Sequence, residues 1–268
     1  MKQYTSLYFV GAGGIGMSAL VRYFLAKGYK VAGYDRTQSP LTTELKTEGL
    51  EIVYEESVES IPDYCRNPET TLVVYTPAIP ASHAGLVYFR EHGFRVVKRA
   101  ELLGLITQSS KGLCFAGTHG KTTTSSMAAH IFHESPIGCN AFLGGILRNY
   151  NSNLILSEQS PFTVIEADEY DRSFHWLHPY MAVVTATDPD HLDIYGTEEA
   201  YLESFARFTS LIQPGGCLIM KKGIKLVPSV KENVKIYTYS ARDGGDFHAG
   251  NIRIGDGTIV FDFVMPEG

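Results

Sequence analysis

The sequence predicts an α/β protein in which a Rossmann-like domain with a parallel sheet precedes a second α/β domain that carries a phosphate-binding loop. Three observations support this fold class. Apolar β-branched runs alternate with helical segments over the first hundred residues, and two glycine-rich loops each separate a strand-like run from a helix-like run. The 268 residues suffice for about two domains with separate cores. One domain for each glycine loop is the simplest division.

The elements of the first domain follow from the change between extended apolar runs and helical spacing. At the N-terminus, an apolar run from Leu7 to Val10 leads into a glycine loop and a helix with Ile15, Ala19, Leu20 and Phe24 on one face. The predicted elements are strand 5–10, helix 14–27, strand 30–34, helix 40–48, strand 51–54, strand 71–76, helix 83–92 and strand 94–97.

A polar segment, 107–112, follows a helix over 100–106 and is the best candidate for a domain boundary. We therefore expect a Rossmann-like domain at 1–108 and an ATP-binding domain at 109–268. The second domain is predicted to contain strand 112–116, helix 125–133, a turn at Gly144 and Gly145, strand 162–165, strand 182–186, helix 197–212, strand 217–221, and a hairpin formed by 251–254 and 258–264.

The first glycine loop, 11–16, has the spacing of a dinucleotide-binding loop, and Asp35 follows the next strand at the position where a Rossmann acid meets a ribose hydroxyl. Taken alone, this pattern predicts NAD. In physical terms, the glycine loop indicates only that a pyrophosphate binds near a helix N-terminus. Both NAD and a nucleotide diphosphate sugar contain a pyrophosphate. With a second phosphate loop in the chain, a nucleotide diphosphate sugar is preferred over NAD, and Thr76 and Ala78, at the end of the strand 71–76, are placed to face whatever this loop binds.

The second loop is a shortened phosphate-binding loop, with glycines at 117 and 120 before Lys121 and Thr122. Glycines allow successive backbone N–H groups to point at phosphate oxygens, the lysine reaches the β- and γ-phosphates, and the threonine hydroxyl can bind Mg²⁺. The alternative is an ordinary strand-to-helix turn. The residues predicted to bind ATP are Gly117, Thr118, His119, Gly120, Lys121, Thr122 and Thr123.

Two strands of the second domain end in residues suited to catalysis and metal binding. Glu166 closes one apolar strand and His191 follows another, so in a parallel sheet both should lie at the edge that carries the phosphate loop. Thr122, Glu166 and His191 are therefore candidate Mg²⁺ ligands, and Lys121, Glu166 and His191 are candidate catalytic residues. The alternative is a solvated acidic strand end and a turn histidine.

Composition excludes several functional classes. The formal net charge of −6, with 23 scattered Lys and Arg, argues against sequence-independent nucleic-acid binding. Neither a bilayer-spanning apolar stretch nor a signal peptide is visible, so we expect no membrane partner and a cytoplasmic location. The four cysteines lack C-x-x-C spacing, which predicts neither a zinc knuckle nor a redox pair.

Three motifs in order resemble the Mur ligase family of peptidoglycan synthesis: the segments 117–124, 166–174 and 190–193. The resemblance extends over the whole chain and includes the first glycine loop, 99–101, Gly144-Gly145 and 149–153. It implies ATP- and Mg²⁺-dependent amide formation between the lactyl carboxylate of UDP-N-acetylmuramate and L-alanine, through an acyl phosphate. In this reading Lys121, Thr122, Glu166 and His191 act on the phosphates, and His119 lies near the muramyl group. The UDP part of the sugar is bound by the first glycine loop and two strand ends, namely Gly13, Gly14, Ile15, Gly16, Asp35, Thr76, Pro77 and Ala78.

The chain also departs from the family pattern. Several Mur ligases have a modified lysine after the histidine motif, whereas the next lysine after His191 is Lys221. An adenine-binding segment and a third domain that holds the amino acid are not found, so we expect a fragment that is inactive alone. Two alternatives stay open, namely a ligase that attaches a preformed murein tripeptide to the same nucleotide sugar, and an NAD-binding or non-catalytic nucleotide-binding module.

Overall fold

The computed structural model describes residues 3–241 and 244–266. Its first part alternates strands and helices as the apolar periodicity predicts, with ends one or two residues from the expected ones. The elements are strands β1 (Ser6–Val10), β2 (Lys30–Tyr34), β3 (Glu51–Val53), β4 (Thr71–Tyr75) and β5 (Arg95–Lys98), and helices α1 (Ile15–Ala26), α2 (Pro40–Thr47), α3 (Ala84–Glu91) and α4 (Arg99–Gln108).

The second part contains more strands than the sequence predicts. Its elements are β6 (Lys111–Ala116), α5 (Lys121–Glu134), β7 (Asn140–Leu147), β8 (Ser152–Ile155), β9 (Phe162–Glu166), β10 (Pro179–Val184), α6 (Leu192–Tyr195), α7 (Glu198–Ser210), β11 (Cys217–Lys221), β12 (Lys235–Ser240), β13 (Phe247–Gly255) and β14 (Thr258–Val264).

Several expectations for this part were wrong. Gly144 and Gly145 lie inside β7 rather than in a turn, and the chain instead reverses after β7 through a turn in which Asn151 has the left-handed φ of 48°. Helix α5 begins at Lys121, four residues before the predicted start at 125. The predicted strand 182–186 lies at Pro179–Val184. Strand β12 was missed because its half-exposed residues give no clear apolar pattern.

The described residues divide into two compact units. Unit 1 contains 1–106 and 129–160, and unit 2 contains 107–128 and 161–268. The first boundary between the units follows residue 106, two residues before the predicted boundary after 108. The β7–β8 hairpin lies within the predicted second domain, 109–268, but it groups with unit 1.

Unit 1 has a parallel sheet in the order β3-β2-β1-β4-β5. Val10, the last residue of β1, lies opposite both Tyr34 and Tyr75, so the carboxyl ends of three neighbouring strands form one edge. A core that includes Tyr8, Val73 and Phe89 packs between the sheet and the surrounding elements. Ile15, which was predicted on the buried face of α1, is 38% exposed.

Unit 2 has the strand order β14-β13-β12-β11-β10-β6-β9. Its pairs are parallel except for the antiparallel β13–β14 hairpin. Ala116 at the end of β6 lies opposite Val184, and Phe115 lies opposite Glu166, which brings the phosphate loop and the end of β9 to one edge. Within residues 3–241 and 244–266, no helix combines the length and apolar character that a membrane span requires.

Candidate functional site

The first candidate site lies in unit 1, at the carboxyl edge of its sheet. The glycine loop leaves β1 at Gly11, whose φ of 91° favours glycine. Gly14 then caps α1 with an extended backbone, φ −67° and ψ 143°. Because the first N–H groups of a helix have no partner within it and carry partial positive charge, this loop presents an anion-binding helix N-terminus.

Asp35 holds this loop in place. Its Oδ2 accepts the backbone N–H of Gly13 at 2.7 Å, and its Oδ1 accepts the N–H of Thr37 at 3.1 Å. A Cβ at position 13 would lie 2.6 Å from Cγ2 of Thr42, so the close approach requires glycine. Asp35 therefore positions the loop in addition to the ribose contact that the sequence predicts.

A cavity of about 440 Å³ opens at the same edge of unit 1. The predicted residues that line it are Gly14, Gly16, Asp35, Thr76 and Ala78. Gly13, Ile15 and Pro77, also predicted for this site, are not among the described residues of its wall. The loop and the strand ends thus meet around one cavity, and contact of each residue with a ligand stays a prediction.

Sequence reasoning missed several polar residues of the cavity wall, among them Arg36 and Arg99. The Arg99 guanidinium packs closely against the start of α1. A Cβ at position 16 would lie only 2.6 Å from its Nη1, so the arginine leaves room for glycine alone. Guanidinium groups bind phosphate through paired hydrogen bonds, so both arginines suit a diphosphate. The sequence could have indicated both arginines as site residues, since Arg36 lies just beyond the carboxyl end of β2 and Arg99 directly follows β5.

The second candidate site lies in unit 2, where the phosphate loop connects β6 to α5. Gly117 has a φ of 136° and Gly120 a φ of 83°. At position 117 a Cβ would lie 2.2 Å from Oγ1 of Thr185, so the loop packs directly on the chain that follows β10. The N–H of Thr118 also donates to the Ala186 carbonyl at 3.1 Å. Both glycines are therefore needed for the loop conformation.

Lys121, the first residue of α5, is held over the loop by two partners. Its Nζ donates to the Gly117 carbonyl at 2.7 Å and forms an ion pair with Glu169, with both carboxylate oxygens 2.8 Å away. Glu169 is 1% exposed. Burial raises the pKa of its carboxyl above the usual value, and the Lys121 ammonium opposes that rise. The sequence singled out Glu166 in this acidic run and missed Glu169.

Thr122 and Glu166 are adjacent at the edge of the sheet, as predicted. The Thr122 hydroxyl donates to Oε1 of Glu166 at 3.0 Å. His191 has a φ of 53° at the start of α6, and its ring contacts Tyr170 with centroids 5.2 Å apart. Its backbone N–H donates to Oδ1 of Asp190 at 2.7 Å. The structure therefore brings Thr122 and Glu166 into contact, whereas the described contacts of His191 are with Tyr170 and Asp190, and its role as a metal ligand stays a prediction.

Two further residues of the loop, Thr118 and His119, lie close to Asp188. Nε2 of His119 lies 3.8 Å from Oδ2 of Asp188, and both side chains are largely exposed. The Thr118 hydroxyl donates to the Asp188 carbonyl at 2.7 Å and lies 2.9 Å from the hydroxyl of Tyr201, which is fully buried. Thr118 thus anchors the loop to α7, whereas His119 and the exposed Thr123 are open to a ligand.

Within the described ranges, no cluster of three or more His, Cys, Asp and Glu side chains could hold a metal ion. A metal at the Thr122–Glu166 pair would therefore take part of its coordination from a bound phosphate or from water. This arrangement is typical of nucleotide sites, where Mg²⁺ bridges a small number of protein oxygens to phosphate.

Comparison with known proteins finds two successive family matches in the chain. Residues 6–111 match the family described as "Mur ligase family, catalytic domain", and residues 115–268 match "Mur ligase middle domain". A UDP-N-acetylmuramate--L-alanine ligase of Parabacteroides distasonis is 67% identical over the whole chain and 58% of its own length. The Phocaeicola vulgatus relative of the same name is 66% identical over 98% of this chain and 57% of its own length. The chain thus spans less than two thirds of these relatives.

Solved structures agree on the fold. A UDP-N-acetylmuramate:L-alanyl-gamma-D-glutamyl-meso-diaminopimelate ligase from Neisseria meningitides superposes with a TM-score of 0.84 at 21% identity, over 98% of this chain and 85% of that one. A UDP-N-acetylmuramate-alanine ligase from Thermotoga maritima gives a TM-score of 0.76 at 25% identity, over 91% and 54% of the two chains. By its matches to two domain families and its identity to these relatives, the chain belongs to the Mur ligase family.

Proposed function

We propose that this chain provides the nucleotide-sugar site and the ATP site of a ligase that joins the lactyl carboxylate of UDP-N-acetylmuramate to L-alanine. The observation that carries the proposal is the presence in one chain of two distinct phosphate-binding arrangements. An NAD-dependent enzyme needs only the first, and a simple ATPase needs only the second. The names of the relatives at 67% and 66% identity support this substrate pair.

In unit 1, the diphosphate of the nucleotide sugar is proposed to lie on the N-terminus of α1. Gly14 and Gly16 allow the backbone to approach it, and Arg36 and Arg99 in the cavity wall supply positive charge. Asp35, which holds the loop through Gly13, also faces the cavity at the position expected for a ribose contact.

In unit 2, the Thr122–Glu166 pair fits a magnesium ion. Two ligands in neighbouring positions of an octahedron with bonds of about 2.1 Å lie about 3.0 Å apart. Oγ1 of Thr122 and Oε1 of Glu166 are 3.0 Å apart, and both are oxygen donors, which Mg²⁺ prefers. His191 is the third proposed ligand. When bound, the ion would neutralise the charge that develops on the transferring phosphoryl group.

The loop residues orient the ATP phosphates. Lys121 is held by Gly117 and Glu169 before ATP binds, so little reorganisation is needed for its ammonium to contact the β- and γ-phosphates. A carboxylate oxygen of the sugar attacks the γ-phosphorus and ADP leaves. The amine of L-alanine then displaces phosphate from the acyl phosphate, and His119 is placed near the muramyl group. Because the reaction consumes ATP, we assign it to the cytoplasm.

Calorimetry of the purified chain tests the two binding sites. We expect UDP-N-acetylmuramate to bind, NAD not to bind measurably, and ATP with Mg²⁺ to bind at the second site. Tight NAD binding without affinity for the UDP-sugar would contradict the proposal and favour an NAD-binding module.

Ligation is tested in a chimera in which this chain is followed by the remaining length of the Parabacteroides distasonis relative. We expect phosphate release that depends on UDP-N-acetylmuramate and L-alanine. Release that requires a murein tripeptide instead of L-alanine would favour the peptide ligase, and an inactive chimera with both sites occupied would favour a non-catalytic module.

A further inference from the structure

Glu169, the buried partner of Lys121, is held by its backbone as well as by its side chain. Its carbonyl oxygen accepts two hydrogen bonds, from the backbone N–H of Arg172 at 3.0 Å and from the hydroxyl of Tyr195 at 2.5 Å. Its carboxylate pairs with the Lys121 ammonium at 2.8 Å. The residue that holds the lysine of the phosphate loop is therefore itself fixed, by the chain that follows it and by α6.

The chain after Glu169 adopts a strained conformation. Asp171 and Arg172 have φ of 51° and 54°, in the left-handed region that residues other than glycine rarely adopt. Such conformations cost free energy and persist where the surrounding structure determines them, most often at functional sites. The Arg172 guanidinium lies over the ring of Tyr195, with Cζ 4.7 Å from the ring centroid. The strained turn is thus built around Glu169 and Tyr195.

Tyr195 is the last residue of the short helix α6 and is 5% exposed. Burial raises the pKa of its phenol, so the hydroxyl keeps its proton and donates to the Glu169 carbonyl. The backbone N–H of Tyr195 donates to the His191 carbonyl at 3.1 Å. Tyr195 therefore ties the segment that follows β9 to the segment that follows β10, at the edge of the sheet that carries the phosphate loop.

We propose that Tyr195 is a positioning residue for ATP, because its hydroxyl fixes Glu169 and Glu169 in turn fixes the Lys121 ammonium. This inference rests on the proposed function, in which Lys121 contacts the β- and γ-phosphates. The Lys121 side chain is 16% exposed and that of Glu169 is 1% exposed, so a displacement of Glu169 displaces the ammonium with it. A lysine side chain that is already ordered loses less conformational entropy when phosphate binds.

Tyr195→Phe removes the hydroxyl and leaves the ring beneath Arg172. We would titrate the purified chain and this variant calorimetrically with ATP in the presence of Mg²⁺. We expect the affinity for ATP to fall about tenfold, which corresponds to the loss of one buried hydrogen bond. Affinity for UDP-N-acetylmuramate, which we propose binds to unit 1, should be unchanged.

NMR of the lysine ammonium groups separates a positioning role from a purely structural one. A hydrogen-bonded and largely buried ammonium exchanges its protons slowly, so Lys121 should give an ammonium signal in protein labelled with ¹⁵N-lysine. Lys121→Met identifies this signal by its loss. In Tyr195→Phe the signal should shift or broaden, while thermal unfolding verifies that the variant is folded. An unchanged signal in the folded variant would overturn the inference, even if ATP bound more weakly.

Arg172→Asn provides a second variant, in which Tyr195 keeps its hydroxyl. Asparagine adopts the left-handed region more readily than arginine, so this variant removes the guanidinium from the ring without added strain. We expect the affinity for ATP to fall about threefold, since a cation over an aromatic ring contributes modestly at an exposed position. Arg172→Lys retains a cation for the ring and should restore most of the affinity.

Tyr180→Phe is the matched control. Tyr180 also lies in unit 2 with a cation over its ring, Nζ of Lys111 at 4.8 Å from the centroid, but it belongs to the amino end of β10. Its ATP affinity and Lys121 ammonium signal should equal those of the wild type. Wild-type ATP affinity in both Tyr195→Phe and Arg172→Asn would overturn this inference alone. A wild-type chain that binds no ATP would overturn the proposed ATP site as well.

Discussion

The Arg22 guanidinium donates to Oδ1 of Asn153 at 2.9 Å and joins α1 to β8 across 131 positions of sequence. Asn153 is fully buried, and its Nδ2 donates to the Ile15 carbonyl at 2.6 Å and to the Ser18 hydroxyl at 3.0 Å. Arg22 also pairs with Glu48 at 2.8 Å. This polar network binds the β7–β8 hairpin to the first helix of unit 1 and accounts for its grouping with that unit.

Replacing Asn153 should therefore destabilise unit 1. We expect Asn153→Ala to lower the free energy of unfolding by about 2–3 kcal/mol, because Arg22 and Ser18 each lose one buried hydrogen bond and the Ile15 carbonyl loses its donor. Urea denaturation followed by circular dichroism measures the change. The control is Asn149→Ala in the exposed turn after β7, which should cost less than about 0.5 kcal/mol. Equal losses in both variants would show that the network does not hold the hairpin.

Gly14 allows the diphosphate contact to be tested without disturbing the fold. A Cβ at position 14 would have its nearest neighbour, the Gly11 carbonyl oxygen, at 3.8 Å. Gly14→Val should fold normally but place a branched side chain where the backbone must approach the pyrophosphate. We expect UDP-N-acetylmuramate affinity to fall about 100-fold by calorimetry. ATP binding at unit 2 should be unchanged, and retention of wild-type UDP-sugar affinity would refute the placement.

The sequence predicted the positions of both loops because each depends on local signals. Glycines between a strand-like and a helix-like run mark the loop, and parallel pairing then brings the strand ends that carry Asp35, Thr76 and Glu166 to the same edge as a loop. Locating each loop needed no information from distant residues, although its conformation depends on contacts with Asp35 in unit 1 and with Thr185 in unit 2. This is why the fold class and the arrangement of the two sites could be read from one sequence.

Contacts between distant segments left no such signal. Glu169 pairs with a lysine 48 positions away, and the partner of Arg22 lies 131 positions away. The hairpin was missed because Gly144 and Gly145 favour a turn locally, whereas in the structure they lie within β7, between Phe142 and Leu147, which pair with β8.

Magnesium use is tested at Glu166. We expect Glu166→Ala in the chimera to lower kcat by about 100-fold or more and to raise the Mg²⁺ concentration needed for half-maximal rate, because an oxygen ligand is lost. UDP-sugar binding, which we propose for unit 1, should be unchanged. Glu232→Gln, an exposed carboxylate of unit 2, is the control and should leave both parameters unaltered. A wild-type response to Mg²⁺ in Glu166→Ala would rule out its role as a ligand.

The Lys121–Glu169 ion pair predicts a stability effect separate from catalysis. Lys121→Met leaves the buried Glu169 carboxylate without a counter-charge, so the free energy of unfolding at pH 7.5 should fall by about 3 kcal/mol. Lys235→Met, which removes an exposed lysine of the same unit, should change it by less than about 0.5 kcal/mol. Urea denaturation of each variant gives these values.

The pH dependence of the free energy of unfolding of Lys121→Met tests whether the unpaired Glu169 carboxylate causes the loss of stability. Burial already raises the pKa of Glu169, and removing the ammonium takes away the influence that opposed this rise. A carboxyl whose pKa is higher in the folded state binds its proton more readily there, so its contribution to stability is largest at low pH and is lost as the pH rises through the folded-state pKa. Lys121→Met should thus regain stability relative to the wild type as the pH is lowered from 7.5 toward 5.

The double variant is the control. Lys121→Met combined with Glu169→Gln should be more stable at pH 7.5 than Lys121→Met alone and lose this pH dependence, because no buried charge remains. A double variant as unstable as the single one would show that lost packing of the Lys121 side chain, rather than an uncompensated carboxylate, destabilises the loop.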